Sequence, residues 1–246
     1  MSTPIAIVAG VGPGTGAEVA RRFSGLYPVV LLARDSQNLE GIGEEINKSG
    51  GRAVGIIANV SDPESMKNAF SKIEQEFKGA PIAAAVFNAS SRPLRAPILE
   101  IKLEDFEEAH SVAGKGAFLF AQNVLPGLVK HAEDKSAKYP PTLIFTGATA
   151  SIKANAQMSA FASAKFAMRA LSMSIAREYG PKGVHTAHVI VDGVIDTEFT
   201  KEWTKDMSAE ATIAPSGIAE SYWSLHTQSK RCFTNEIDIR PMLEKW

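Results

Sequence analysis

Three stretches of this sequence carry residues whose types and spacing suit chemistry. The first is Gly10-Val11-Gly12-Pro13-Gly14-Thr15-Gly16, directly after the apolar run Ile5–Ala9. Glycines at such a turn let the backbone bend sharply and approach a pyrophosphate, whose charge is stabilised by free N–H groups and the dipole of the following helix. Two registers overlap here. Gly12-x-Gly14-x-x-Ala17 fits the general dinucleotide fingerprint, and Gly10-x-x-x-Gly14-x-Gly16 fits a second spacing, favoured because Gly10 follows the strand at once. A tight strand–helix turn without a ligand is the alternative. The second stretch is the end of Val29-Val30-Leu31-Leu32-Ala33, where Arg34 stands. A carboxylate at this place would bond a ribose 2′-hydroxyl, whereas a guanidinium grips a 2′-phosphate and stacks on adenine. NADP(H) is therefore preferred over NAD(H); a surface pair between Arg34 and Asp35 is the competing explanation. The third is Phe161-Ala162-Ser163-Ala164-Lys165, whose four-residue spacing sets Phe161 and Lys165 on one helix face. The lysine brings a cation; the phenyl ring has no proton to give.

Alternating elements must position these groups. Apolar, β-branched runs predict strands at Ile5–Ala9, Val29–Ala33, Ala53–Ala58, Ile82–Phe87, Thr142–Thr146, Val184–Val191 and Phe233–Ile239. Helix-period segments lie between them, at Gly14–Gly25, Gln37–Lys48, Pro63–Phe77, Leu103–His131, Met158–Gly180 and Pro215–Gln228. Asp62-Pro63 reads as an N-cap with proline at the first helical position, and Gly180-Pro181 as a left-handed cap closing a long helix. Alternation in Glu236–Arg240 reads as an edge strand. Runs such as Ala83-Ala84-Ala85-Val86-Phe87 lack polar alternation and suit strands covered on both faces. The pattern is α/β: one doubly wound parallel sheet of about seven strands with helices on both faces, and one domain over residues 1–246.

Composition narrows the function classes. With 45% apolar and 22% charged residues the chain has ordinary globular balance, and a formal charge of −1 argues for neither nucleic acid nor an anionic membrane. A single cysteine, Cys232, excludes an intramolecular disulfide and a Cys-cluster metal site; no metal is expected. No run approaches the roughly 20 apolar residues of a membrane helix. The first apolar run begins too near Met1 for a cleavable leader, and Glu244-Lys245-Trp246 is no recognisable targeting tag, so a cytoplasmic setting is expected.

From Ile5 to about Thr197 the motifs occur in an order that resembles the short-chain dehydrogenase/reductase family, whose fold is of the Rossmann type. Gly10, Gly14, Thr15 and Gly16 fall on its cofactor turn. Asn59-Val60 resembles its Asp-Val step beside adenine, and Asn88-Ala89-Ser90 its Asn-Ala-Gly step. Val191-Asp192-Gly193-Val194-Ile195-Asp196-Thr197 resembles its Pro-Gly-x-x-x-Thr turn, which implies that Ile195 backbone binds the carboxamide and Thr197 a phosphate; Asp192 replaces the proline. Phe161–Tyr179 resembles the active-site helix, where the family carries Tyr-x-x-x-Lys with the tyrosine as proton donor.

Only Lys165 of the implied catalytic set stands in its family place, with a ribose-binding and field role. Phe161 replaces the tyrosine. The family serine falls on Ala148, and a slip of one residue puts Thr149 there; the helix asparagine falls on Ala113. A positioned general acid is worth about 10²–10⁴ in rate, or roughly 3–5 kcal/mol, so ketone reduction by the tyrosine route should be weak. Hydride transfer to an iminium needs no proton at the accepting carbon, and an activated alkene needs one from elsewhere: water, Thr149, Ser151, Ser159 or His110. His185 and His188 read as core or strand-edge residues, and a lysine solvated on the helix is the bland alternative for Lys165. Segment 198–213, with Phe199 and Trp203 as anchors, fits a substrate lid or a disordered loop. The resemblance also implies a homodimer or homotetramer, which two long helices rich in small and apolar residues suit.

The expected function is an NADP(H)-dependent oxidoreductase with a non-standard proton route, acting on activated C=N or C=C or special carbonyl substrates. Two alternatives stand beside it: a catalytically silent NADP(H)-binding sensor or partner subunit, and a scaffold for non-redox chemistry.

Overall fold

The computed structural model describes residues 2–244; of the terminal Glu244-Lys245-Trp246, the last two residues lie outside this range. The elements run β1 (Ile5–Ala9), α1 (Thr15–Ser24), β2 (Val29–Ala33), α2 (Ser36–Lys48), β3 (Ala53–Ile57), α3 (Pro63–Phe77), β4 (Ile82–Phe87), α4 (Leu103–His110), α5 (Ala117–Ala132), β5 (Thr142–Thr146), α6 (Ser159–Tyr179), β6 (His185–Val191), α7 (Lys201–Thr204), α8 (Pro215–His226) and β7 (Glu236–Ile239). The strands form one parallel sheet in the order β3-β2-β1-β4-β5-β6-β7, with Ala9 opposite both Leu32 and Phe87. Winding runs outward from β1 to β3, then returns to β4 and runs the other way. The helices on either side of that reversal lie on opposite faces, which opens a crevice beyond the carboxyl ends of β1 and β4.

Successive strand residues point to opposite faces, so each strand feeds two cores. Ile7, Val30, Phe87 and Phe145 pack with Ile73, Phe120 and Met168 of α3, α5 and α6. Val8, Leu31 and Val86 pack with Phe23, Leu39 and Tyr222 of α1, α2 and α8. Asp62 caps α3 by accepting from the Glu64 amide at 3.0 Å, with Pro63 at its start. The first strands and helices match the sequence expectation to within a residue or two at their ends.

Three features differ from it, each for a local reason. The expected helix Leu103–His131 is two helices joined by a π-helical turn, Ser111–Gly116. Ala113 of that turn packs with Ala109, Ala160 and Ala164, and Gly116 sits where a Cβ would be 3.1 Å from Val60. The wider turn brings small residues against α6 and Val60. Gly180 stays right-handed and opens a 3₁₀ turn; the left-handed residue is Gly183, at φ +84°. The last strand begins at Glu236 rather than Phe233, because Phe233 stacks on His185 with centroids 4.4 Å apart and the Gln228 side chain holds Thr234. β7 is an edge strand, as the alternation predicts. Segment 198–213 contains α7 and a 3₁₀ turn at Ala209–Ala211.

Candidate active site

The glycine turn is built by contact between β1 and β4. Gly10 has φ +89°, and a Cβ there would lie 2.4 Å from the Ala89 amide nitrogen. Asn88 donates from Nδ2 to the Gly10 carbonyl at 2.9 Å, which fixes the turn. A Cβ on Gly14 would lie 2.8 Å from Thr197 Cγ2, whereas one on Gly12 would meet nothing within 4 Å. The Gly12 side is therefore open, and Gly14 supplies no side-chain cap to α1. Orphan amides of the first turn face this opening, a cradle suited to a diphosphate. Gly10, Gly14, Thr15, Gly16, Asn88, Ile195 and Thr197 line one cavity of about 530 Å³ together with Ala148, Phe161 and Lys165.

A second hollow of about 330 Å³ continues from Gly10 past the ends of β2 and β3, between Arg34, Asn59, Val60 and Ala89. Asp35 is not paired with Arg34. It caps α2, accepting from the Gln37 amide at 2.9 Å and the Asn38 side chain at 3.3 Å. Arg34 is exposed and has no ion-pair partner among the described residues, so its fork is available to an anion. Asn59 Oδ1 accepts from the Ser61 amide at 3.1 Å, which leaves its NH₂ toward the hollow's contents.

At the far end, α6 presents Phe161 and Lys165. Lys165 is buried, not solvated: 3% of its surface is exposed, and Nζ donates to the Thr146 carbonyl at 3.1 Å. The ammonium lies 5.6 Å from the centre of the Phe161 ring. Burial pushes the lysine down to about 8. Beneath it, His188 Nδ1 donates to Glu236 Oε2 at 3.0 Å, and burial holds that imidazole down at about 4. Its Nε2 is buried without a partner among the described residues. Glu236 also receives both nitrogens of the Arg169 fork at 2.7 Å.

The other expected residues fall into separate places. Ala148 lines the cavity, and its amide donates to buried Ser151 Oγ at 3.1 Å, which occupies that hydroxyl away from the opening. Ala113 is buried among alanines of α4 and α6 and brings no polar group. His110 packs tilted against Phe106, with ring centroids 4.3 Å apart, and bonds Ser163 Oγ at 2.9 Å. Ser159 Oγ is buried with no partner among the described residues. Thr149 lines an adjoining cavity of about 630 Å³ with Ala148 and Phe161, and its hydroxyl donates to Asp192 Oδ1. Asp192 Oδ2 pairs with Arg240 at 2.8 Å, and Arg240 also holds Asp238 at 2.5 Å. Sequence reasoning missed this Thr149–Asp192–Arg240 group. The available signal was a carboxylate closing the apolar strand Val189-Ile190-Val191.

Segment 198–213 flanks the first cavity. Thr200 Oγ1 donates to the Ile195 carbonyl at 2.6 Å, and Ile195 bridges to Ile213, so the two ends of the segment are tied together. Between them Phe199 and Trp203 meet edge to face at 5.1 Å and remain mostly exposed.

A doubly wound sheet with a glycine cradle at its switch point and a buried lysine on the helix after β5 defines the class: a nucleotide-binding α/β protein. The family follows from comparison. The model of the short chain dehydrogenase family matches residues 4–208, and the chain belongs to that family of oxidoreductases. It is 28% identical over 233 residues, 88% of this chain and 83% of the relative, to an NADPH-dependent aldehyde reductase-like chloroplastic protein of Arabidopsis thaliana. It is 27% identical over 228 residues to the uncharacterized oxidoreductase YuxG of Bacillus subtilis, covering 90% of this chain but 32% of that longer protein. Among solved structures it resembles a short-chain dehydrogenase from Rhodopseudomonas palustris, 28% identical, with a TM-score of 0.79 over 97% of this chain and 98% of that one.

Proposed function

We propose that this protein is an NADP(H)-dependent oxidoreductase whose proton route departs from the tyrosine mechanism of its family. The observation that carries the proposal is the pairing of a buried Lys165 with a phenyl ring at 5.6 Å, within the same cavity as the glycine cradle. A bound nicotinamide supplies or accepts hydride. The chain's own part is to seat the diphosphate on Gly10, Gly14, Thr15 and Gly16, and the adenosine between Arg34, Asn59, Val60 and Ala89. Lys165 holds the nicotinamide ribose, the Ile195 backbone the carboxamide and Thr197 a phosphate, and Phe161 closes the reaction cavity to water. None of Phe161, Ala148 or Ala113 can donate a proton to a carbonyl oxygen. An iminium, already cationic and complete once it has taken hydride, suits this site better than an unactivated ketone; an activated C=C group suits it if water or another residue supplies its proton.

Arg34, exposed at the end of β2, supports preference for the 2′-phosphate; the name of the Arabidopsis relative points the same way. We expect NADPH to bind at least about ten-fold more tightly than NADH, and Arg34→Ala to erase that margin, since tenfold is one charge-assisted contact of about 1.4 kcal/mol. Fluorescence titration with both nucleotides checks this. The functional test is a screen of NADPH oxidation against ketones, iminiums and enones. Consumption with iminiums or enones supports the proposal; NADPH binding with no consumption anywhere supports the second reading, a silent sensor, which the loss of three acidic or donor groups motivates.

The segment 198–213 acts as the substrate lid, with its ends tied at Ile195 and Ile213 and with Phe199 and Trp203 over the cavity. The protein assembles as a homodimer or homotetramer through α4, α5 and α6, where Leu103, Phe106, Phe118, Phe166 and Met173 are exposed. The single exposed thiol, Cys232, suits a reducing cytoplasmic setting.

A further inference from the structure

Thr149, Asp192 and Arg240 form a directed chain of hydrogen bonds that ends in the cavity beside Phe161. A carboxylate of an ion pair can only accept. Asp192 is 7% exposed, one of its oxygens faces the Arg240 guanidinium at 2.8 Å, and the other faces Thr149 Oγ1. The Thr149 proton is therefore committed to Asp192. What the hydroxyl still offers to the cavity that Thr149, Ala148 and Phe161 line is lone pairs alone. Arg95 and Lys153, the other cations lining that cavity, are exposed.

The geometry points to a substrate-recognition site of inverted polarity: Thr149 accepts a hydrogen bond from an O–H or N–H of the substrate, and Asp192 is the positioning residue that imposes this direction. The group recognised is then a hydroxyl or an amine nitrogen bearing hydrogen, not a bare carbonyl oxygen. The register of β6 on β7, with Val191 opposite Ile239, is what sets Asp192 beside Arg240. A carbonyl placed at Thr149 would meet oxygen lone pairs and lose a hydrogen bond it had in water. The inference rests on the oxidoreductase reading for calling the bound molecule a substrate, but the contact itself needs no cofactor.

The substitution Asp192→Asn gives a sharp test, because the Arg240 nitrogen that meets position 192 at 2.8 Å only donates and so selects the amide oxygen. The amide then turns its oxygen to Arg240 and its NH₂ to Thr149, so Thr149 accepts and points its own O–H into the cavity. Dissociation constants for cyclohexanol, cyclohexylamine and cyclohexanone, measured by ligand-observed NMR with and without NADP⁺, read the polarity directly. The native protein should bind the alcohol and the amine at least about ten-fold more tightly than the ketone, the gap that one hydrogen bond gained against one lost produces. Asp192→Asn should erase the alcohol's advantage over the ketone, because a hydroxyl accepts as well as donates, and should weaken the amine, which as an ammonium only donates; Thr149→Val, which keeps shape without the hydroxyl, should level alcohol and ketone. A ketone bound more tightly by Asp192→Asn than by the native protein is an effect that mere loss of structure does not produce. The inference is overturned if the native protein prefers cyclohexanone or shows no preference, or if the native order survives in both variants. An alcohol and amine preference indifferent to NADP⁺ would leave the inference standing and count against the cofactor assignment instead.

Discussion

The two ends of the sheet both bury polar groups, and the clusters there differ in how fully they are bonded. At the closed end, where β5 begins, a chain of bonds runs through His226 to a main-chain carbonyl. Thr142 Oγ1 donates to the Pro140 carbonyl at 3.1 Å, His226 Nδ1 donates to Thr142 Oγ1 at 3.0 Å, and Tyr27 Oη donates to His226 Nε2 at 2.9 Å. The rings of Phe23, Tyr139 and Trp223 surround that imidazole. Where the strands end, the chains stay open. Lys165 has three N–H groups and one carbonyl, His188 Nε2 has no partner among the described residues, and Thr149, its proton given to Asp192, lines a cavity. Buried polar groups without partners are costly. Among the described residues His131 Nδ1 and Thr186 Oγ1 also lack partners, but Lys165 differs from them in lining the cavity that holds the glycine turn, where a ligand would complete its bonds.

The comparison breaks most visibly at Gly10. A methyl there meets Ala89 nitrogen at 2.4 Å and Asn88 carbonyl carbon at 2.6 Å, and the residue needs φ +89°. Gly10→Ala should weaken NADPH binding by a hundred-fold or more, roughly 3 kcal/mol, the order expected for strain of 1–3 kcal/mol added to a displaced phosphate cradle. Fluorescence titration measures the affinity, and calorimetry should show a lowered Tm as well.

Acid should undo the closed end. Burial holds His226 down to about 3, while the unfolded ring titrates near 6.5. Below about 6.5 the unfolded chain gains a proton that the folded one refuses, so stability is full above that pH and falls as pH drops towards 3. The slope from this ring is at most about 1.4 kcal/mol per pH unit. His188, held down to about 4, adds a second contribution of the same sign at the other end. Urea midpoints at pH 7, 6 and 5 should fall in that order, and His226→Gln should flatten the fall.

The open end should show the opposite cost. Lys165, pushed down to about 8 from 10.5, is charged in both states at pH 7 and pays for its burial there. Between about 8 and 10.5 the folded state sheds the proton first, so that cost fades as pH rises. Lys165→Met should therefore raise stability at pH 7 by up to about 3 kcal/mol, with the gain vanishing near pH 10.5, while nucleotide affinity falls. Paired urea unfolding at pH 7 and pH 10 checks both parts. A variant less stable than the native chain at pH 7 would mean that Lys165 is fully paired.

How much of this was legible in the sequence follows from the range of each interaction. The glycine turn, the strand ends at Arg34 and Asn88, and the pairing of Phe161 with Lys165 are set within a few residues, and local spacing revealed them. So did the Asp62-Pro63 cap and the order of strands and helices. The Thr149–Asp192–Arg240 group was hidden because it needs β6 and β7 in register across 48 residues of sequence between Asp192 and Arg240. The π-helical turn at Ser111–Gly116 was hidden because a wider turn there answers to packing on α6 and Val60, which no periodicity of its own residues records. The left-handed residue fell on Gly183 instead of Gly180 because Pro181 continues a 3₁₀ turn from a right-handed Gly180, and the reversal waits until that turn is complete. Lys165 looked compatible with a solvated surface position until its partner, the Thr146 carbonyl, was in place.

The missing proton donor is the centre of the account, and one comparison meets it directly: NADPH consumption by the native protein and by Phe161→Tyr on the same panel of unactivated ketones. A phenol at position 161 would stand above Lys165 and face the cavity shared with the glycine cradle. The native protein should turn these ketones over slowly or not at all, and Phe161→Tyr should raise the rate by about ten- to a hundred-fold, short of the full 10²–10⁴ of a positioned acid because Ala148 and Ala113 supply neither a second donor nor a relay. Fast native turnover of the same ketones, unaltered by the substitution, would contradict the account and place the acid elsewhere.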